Sequence, residues 1–465
     1  MNAIWQQITL ATVPLYQWRQ ASFLYHWVGP LQRWRRTGLL MQWADEIGVL
    51  LLSLVFGLAP FITNTQIGVL LFACGAYWVL LTLSDEVDTD KPRTGFTPIH
   101  LLILLYWGIA AIATAMSPVK TAAFTGWMKL TLYLGLFALM ARLLRSPRLR
   151  SGLITLYLLV SLLISVEGMR QVIFGATALA TWVDPTAPDV KEIRVYSFLG
   201  NPNLLAGYLI PAIALSVTAV FVWRSWSAKL LALMMLGLDL SCLYFTRSRG
   251  GWIGLVFVTA TLLVLLFNWW QDALPQPWRS WAIPIALGGL ATLLLVAIVV
   301  VEPLRIRVLS IFAGRGDSSN NFRINVWMAV LDMIQSRPIL GIGPGNTAFN
   351  KIYPLFQRPR YTALSAYSVL LEIAVETGLI GLSVFLWLLV VTLNQGWTQL
   401  QRLKQLGNRD GFWLLGAIAT LVGMLGHGLV DTVWYRPEVS MLWWFAVALI
   451  ASYFTVRPQM GSAAD

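Results

Sequence analysis

The sequence predicts an all-α, polytopic membrane protein with about twelve transmembrane helices and one large extracytoplasmic loop between spans nine and ten. Three observations predict it. Hydrophobic residues make up 57% of the 465 and charged residues only 12%, against about 25% charged in an average soluble domain; mean hydropathy is +0.68. Apolar runs of about 17–22 residues recur, the length that spans a bilayer. One long polar interruption breaks the second half, from Asn320 to Gly381, carrying Arg323, Arg337, Lys351, Arg358, Arg360 and a glycine-rich GIGPGN at 341–346.

The elements follow in order. Residues 1–45 are rich in tryptophan and arginine and read as an amphipathic cytoplasmic or interfacial segment, with a partly disordered basic tail as the alternative. No short apolar core with a small-residue cleavage site is visible there, so the first span directs insertion. Residues 46–301 hold spans at 47–62, 66–84, 98–116, 121–141, 152–173, 203–223, 229–246, 250–268 and 281–301. Residues 302–365 form the large loop. Residues 366–456 hold spans at 366–394, with room for a break, 411–430 and 439–456, and residues 457–465 form a cytoplasmic tail.

Orientation follows from lysine and arginine in the short loops. The clusters Arg33–Arg36, Arg142–Arg150, Arg224/Lys229, Arg402–Arg409 and Arg457 all fall on one side, with the acidic connection Asp85–Asp90 as the weak member. The expectation is a cytoplasmic (inner or plasma) membrane with both termini cytoplasmic. The net charge of +12 is accounted for by this topology and by anionic lipid headgroups, and does not point to nucleic acid. Cys74 and Cys242 lie inside spans as packing residues. His26, His100 and His427 are too scattered for a metal motif, and no cofactor motif is present.

The opposite face carries the chemistry. In GNPNLLAGY (200–208), Asn201 and Asn203 suit a helix start with Pro202 in its first turn; alternatively the exposed amides face an anion. In TRSRGGW (246–252), Gly250 and Gly251 permit a tight turn, and Arg247 and Arg249 sit where a positive-inside topology disfavours them. Snorkelling explains them; anion coordination explains them better. FRINVW (322–327) opens an amphipathic helix with Val326, Val330 and Ile334 at helical spacing. Arg323 near its start opposes the helix dipole unless an acid or a ligand meets it. GIGPGN follows a helix stopped at Arg337–Pro338 and resembles a phosphate-cradling nest only loosely. It lacks the lysine and the serine or threonine of a nucleotide loop, which excludes ATP binding. Glu372 and Glu376 share a helix face, either functional intramembrane acids or solvated at the interface. His427 and Asp431 lie one helical turn apart, as a proton-transfer pair or a satisfied interfacial pair. Asp239 in an apolar helix pairs within the bundle.

The ordered set NPNxxA, SRG, RxxxW, GxGPGN and ETGLIG resembles the O-antigen ligase and polymerase family of membrane glycosyltransferases over roughly residues 195–395, and the twelve-span, GT-C-like layout agrees with it. The basic N-terminus and YTALSAYSVLLEIAVETG are similar to the cyanobacterial IctB branch, named for inorganic-carbon (bicarbonate) transport. In the ligases, two arginines and a histidine serve a lipid-diphosphate-linked glycan. The arginines correspond to Arg249 and Arg323. The histidine position, nine residues before Glu376, is Tyr367 here. Tyrosine, with a pKa near about 10, is a poor base at neutral pH compared with histidine near about 6.5.

The resemblance therefore implies bicarbonate transport at an outer-face arginine site as the first expectation. Glycan transfer from a lipid-linked diphosphate is the second, and a non-catalytic membrane partner the third. The expected partners are membrane lipids and an anionic ligand, either bicarbonate or the glycan diphosphate.

Overall fold

The structure, a computed structural model, describes residues 2–10, 42–84, 96–176, 194–302, 305–306, 308–309 and 314–455. These are helical without strands, and eleven of their helices are long and apolar enough to cross a membrane. A short N-terminal helix is α1 (Asn2–Ile8). The first membrane helices are α2 (Ala44–Leu58), α3 (Asn64–Ser84), α4 (Pro98–Ala115), α5 (Lys120–Leu143) and α6 (Pro147–Phe174). Four more follow: α7 (Pro202–Val222), α8 (Trp226–Phe245), α9 (Arg249–Trp270) and α10 (Gln276–Val300). The loop supplies α11 (Ser318–Ser336) and α12 (Asn346–Ile352), and the chain ends in α13 (Val369–Gln405), α14 (Gly411–Gly428) and α15 (Pro437–Ser452). The last has the composition of a span but only 16 residues; with it, the twelve expected spans each have a helix. His26, Arg33–Arg36, Asp85–Asp90, Arg457 and the C-terminal tail lie outside the described residues.

Starts of helices follow local chemistry. Asn201 caps α7 by accepting from the Asn203 and Leu204 N–H groups, with Pro202 in the first turn. Ser225 and Ser248 cap α8 and α9 in the same way. Such a bond satisfies a donor that the helix itself cannot use, worth about 1 kcal/mol. Thr97 and His100 form a reciprocal box at the start of α4.

The centre is α14, nearly all of it buried against α9, α7, α15 and α13. Small residues let the backbones close up: a Cβ on Gly254 of α9 would stand 2.9 Å from the Gly423 carbonyl of α14, the kind of approach that drives helix association where lipid gives no hydrophobic advantage. Asp239 is paired as expected, its Oδ1 accepting from Ser165 at 2.6 Å and Ser161 at 3.2 Å. Both cysteines are buried and free. By contrast, no residue of the Trp278–Val300 stretch of α10 is buried, and α10 packs chiefly along α9.

The loop is a folded cap with its own small core, in which Val326, Val330 and Met333 of α11 meet Ile342, Phe349 and Val375. Its attachment explains GIGPGN and ETG together. α13 breaks at Gly378 (φ +69°), which releases the Val375 and Glu376 carbonyls from helical pairing. The Ile342 and Gly343 N–H groups donate to them at 2.9 Å each, and the Leu379 N–H donates to Pro338 O at 2.8 Å. A Cβ on Gly378 would stand 2.0 Å from the Ile339 carbonyl, so only glycine permits the contact. These loop donors are satisfied by a helix break rather than turned outward as an anion nest.

Two element boundaries differ from expectation. α11 begins at Ser318 with Asp317 as N-cap, not at Phe322. Arg323 is therefore in the second turn, beyond the reach of the dipole effect invoked for it. α13 runs on to Gln405 rather than ending near 394. The described part of the N-terminal segment rests on the flank of α13, with Trp5 Nε1 donating to Asn394 Oδ1 at 3.0 Å and Trp387 Nε1 to Ile8 O at 2.7 Å.

Candidate functional site

Four pieces of chain meet where the cap joins the bundle. They are the start of α9, the end of α14, the first turns of α11, and the irregular stretch before α13.

Arg249, first residue of α9, grips Asp317 bidentately at 2.9 and 2.7 Å and donates to Asn320 Oδ1 at 2.8 Å. The two side chains are only 9% and 18% exposed, so little water screens the pair. Asp317 also caps α11 through the Asn320 N–H at 2.9 Å. One carboxylate thus starts the cap helix and fastens it to the bundle. Arg323 behaves differently. Its Nε donates to Val430 O at 2.9 Å and one terminal nitrogen to Ser319 Oγ at 2.7 Å, and among the described residues no carboxylate lies within ion-pair distance of it. A half-buried guanidinium bonded only to neutral oxygens keeps its full charge for an incoming anion.

His427 lies in the last turn of α14, buried with 1% exposure, and its Nε2 has no hydrogen-bond partner. Its ring is sandwiched between two glycines. A Cβ on Gly250 of α9 would meet its Cδ2 at 2.3 Å, and one on Gly207 of α7 would meet its Cε1 and Nδ1 at 3.3 Å. The Gly250–Gly251 pair therefore does not make the turn expected of it. The turn is Thr246–Ser248, with Arg247 at φ +53°, and the glycines admit close packing. Asp431, buried just past the helix end, has Oδ1 on the Thr432 N–H at 2.8 Å; among the described residues no hydrogen bond joins it to His427.

Tyr367 stands with this group. It adopts φ +51°, an uncommon conformation for a bulky residue, and packs edge-on against Phe322 of α11 at 5.4 Å. Burial, reinforced by the nearby Asp431 carboxylate and opposed by Arg323, pushes its phenol well above the ordinary tyrosine value. It is a neutral donor at physiological pH, not a base.

Arg249, Arg323, Tyr367, His427 and Asp431 are thus brought together. Others are spent on structure. Asn201 is a cap. Asn203 Oδ1 accepts from Arg194 at 3.1 Å, and Arg194 Nε donates to Thr246 O at 2.9 Å, tying α7 to the turn before α9. The Arg247 guanidinium lies 4.8 Å over the Tyr244 ring, not in the site. Glu372 accepts from the Ala366 N–H at 2.5 Å and fixes the turn that carries Tyr367, while Glu376 is near the Gly345 N–H and Lys129. Sequence reasoning missed Asp317, Asn320 and Arg194. An Asp followed by SSNN ahead of the periodic run was a readable cap signal; nothing local marked Arg194.

Fold and site define a multi-pass, all-helical membrane protein with a folded cap over one end of the bundle. Residues 230–386 match the family model described as O-Antigen ligase. The match spans less than half of the chain and includes Arg249, Arg323 and Tyr367, while His427 and Asp431 lie beyond it. No curated protein matches the chain.

Proposed function

We propose that the protein acts on a lipid-diphosphate-linked glycan at the outer face of a cytoplasmic membrane, as a ligase-type transferase with both termini cytoplasmic. The observation that carries this is the pairing of an uncompensated Arg323 with a folded cap at the membrane edge, inside the segment that matches the ligase model. The diphosphate of a lipid-linked substrate sits at that depth, and a sugar occupies a volume that a small anion does not.

Arg323 binds the diphosphate, and the neutral Tyr367 phenol donates a hydrogen bond to it or to the departing oxygen. An acceptor hydroxyl attacks the anomeric carbon. The carbon–oxygen bond to phosphate breaks and the lipid diphosphate leaves. The hydroxyl proton passes to the Asp431 carboxylate, which serves in place of the absent family histidine. Arg249 positions the cap through Asp317.

Bicarbonate transport is a second reading, favoured by Tyr367: without the histidine the arginine site retains anion binding and loses the usual base. The test runs both assays on one preparation. Native protein and Arg323→Ala are reconstituted in liposomes, and release of lipid diphosphate from a lipid-linked glycan is followed beside uptake of labelled bicarbonate under sodium and proton gradients. Release that Arg323→Ala abolishes supports transfer. Uptake that Arg323→Ala abolishes, without release, replaces it with transport. Neither activity leaves the non-catalytic partner reading.

A further inference from the structure

At the end of the bundle remote from the candidate site, a half-open cavity of about 520 Å³ opens between α7, α8, α9, α13 and α14. Its wall is a contiguous aromatic cluster: Phe221 stacks on Phe412 at 5.1 Å, and Trp269 and Trp270 stand 4.8 and 5.6 Å from Phe412. Its rim is cationic. Lys229, Lys404 and Arg409 line it against a single carboxylate, Asp272. Lys404 is compensated, its Nζ 2.6 Å from Asp272 and 2.7 Å from the Asn268 carbonyl. Lys229 lies over the Trp226 ring at 5.2 Å, and Arg409 is exposed at the start of the turn into α14. Among the described residues Lys229 and Arg409 have no carboxylate partner, so two free cations border an aromatic-walled slot at the level where helices leave the membrane.

We propose that this cavity binds the headgroup of an anionic phospholipid. The phosphate meets Lys229 and Arg409, and the upper acyl chains lie along the Trp269, Trp270 and Phe412 faces. The two halves of the site ask for the two halves of one molecule. A free anion has no use for four aromatic rings, and a zwitterionic lipid brings an ammonium to a rim already positive. Aromatic residues at this depth also anchor a helix at the interface; here they face a cavity shared by several helices instead of lying singly on the outside. The proposal is independent of the chemistry at the opposite end.

Full-length protein in detergent, examined by native mass spectrometry during titration with phosphatidylglycerol and with phosphatidylcholine, tests it. One saturable phosphatidylglycerol adduct is expected. A juxtamembrane cation contributes about fivefold to binding an anionic lipid, so Lys229→Gln with Arg409→Gln weakens that adduct roughly 25-fold. Asp272→Asn is the opposing variant. It removes the competing carboxylate and tightens the adduct by about fivefold, a gain that damage to the fold does not produce. Equal binding of the two lipids overturns the proposal, as does an adduct indifferent to all three substitutions. Displacement of the adduct by inorganic phosphate at equal concentration also overturns it, in favour of a free-anion site.

Discussion

Replacing Gly250 by alanine tests whether His427 is held by the absence of side chains around it. A Cβ there would lie 2.3 Å from His427 Cδ2 and 2.8 Å from Nε2, well inside carbon–carbon contact. The ring has little room to retreat toward Gly207, where the place of a Cβ is already closed by Val433 at 2.9 Å and by the ring itself at 3.3 Å. Overpacking of this kind costs about 1–3 kcal/mol, and alanine's better helix propensity returns about 1 kcal/mol. The expected net loss is the difference, about 0–2 kcal/mol, read as a lowered melting temperature in detergent. His427→Ala removes the ring, so Gly250→Ala added to it is neutral or stabilising, a coupling equal to the overpacking cost of about 1–3 kcal/mol in the cycle. Gly237→Ala is the control, because nothing lies within 4 Å of its built Cβ; it leaves stability unchanged or raised. An equal cost of Gly250→Ala with and without the His427 ring refutes the reasoning, since the glycine then accommodates something else.

The remaining predictions concern the cap and the aromatic residue beside it. Asp317→Asn keeps the α11 cap but releases Arg249, which weakens the cap's attachment by about 1–2 kcal/mol after allowance for partial exposure and strengthens binding of inorganic diphosphate; calorimetric titration showing weaker binding contradicts this. Asp317→Ala also loses the capping bond, adding about 1 kcal/mol, seen as faster proteolysis between α11 and α13. Gly378→Ala forces a left-handed φ and a 2.0 Å approach to the Ile339 carbonyl, so the cap detaches and trypsin cuts after Arg360 far sooner than in the native protein. The Tyr367 phenol is raised above its unfolded value, so its contribution to stability is complete below about pH 10 and is lost as pH rises beyond it. Tyr367→Phe flattens the fall in stability between pH 9 and 11, and a glycan-transfer rate that keeps its pH profile from 6 to 9 in that variant confirms that the phenol is not the base.

The spans were legible because lipid solvation demands apolar length and little else, and length is readable one segment at a time. Helix starts at Asn201 and Pro202 were legible for the same local reason. Of the residues singled out in the sequence, Arg249, Arg323, Tyr367, His427 and Asp431 come together in the fold, but the partition of labour between the arginines was not legible. That partition depends on Asp317, a residue 68 positions from Arg249, and on the Val430 carbonyl, 107 positions from Arg323. The glycines were misread for a related cause. A tight turn and a close approach both call for glycine, and sequence does not reveal that His427 lies across from Gly250. GIGPGN carried a similar ambiguity, since donors satisfied by a broken helix and donors offered to an anion look alike until the break at Gly378 is seen.

The solitary helix α10 separates two kinds of information in the chain. Every other span answers to particular neighbours, so the order of its side chains matters. The 23 residues from Trp278 to Val300, none of them buried and the most apolar 18 of them with mean hydropathy 2.6, answer chiefly to the bilayer and touch the bundle mainly along α9. Away from the face that meets α9 and from Arg279, which bonds the Leu274 and Asp272 carbonyls, total apolarity and length are constrained more tightly than the order of the side chains. This stretch immediately precedes the cap, so the chain enters its most specific region from its least specific one.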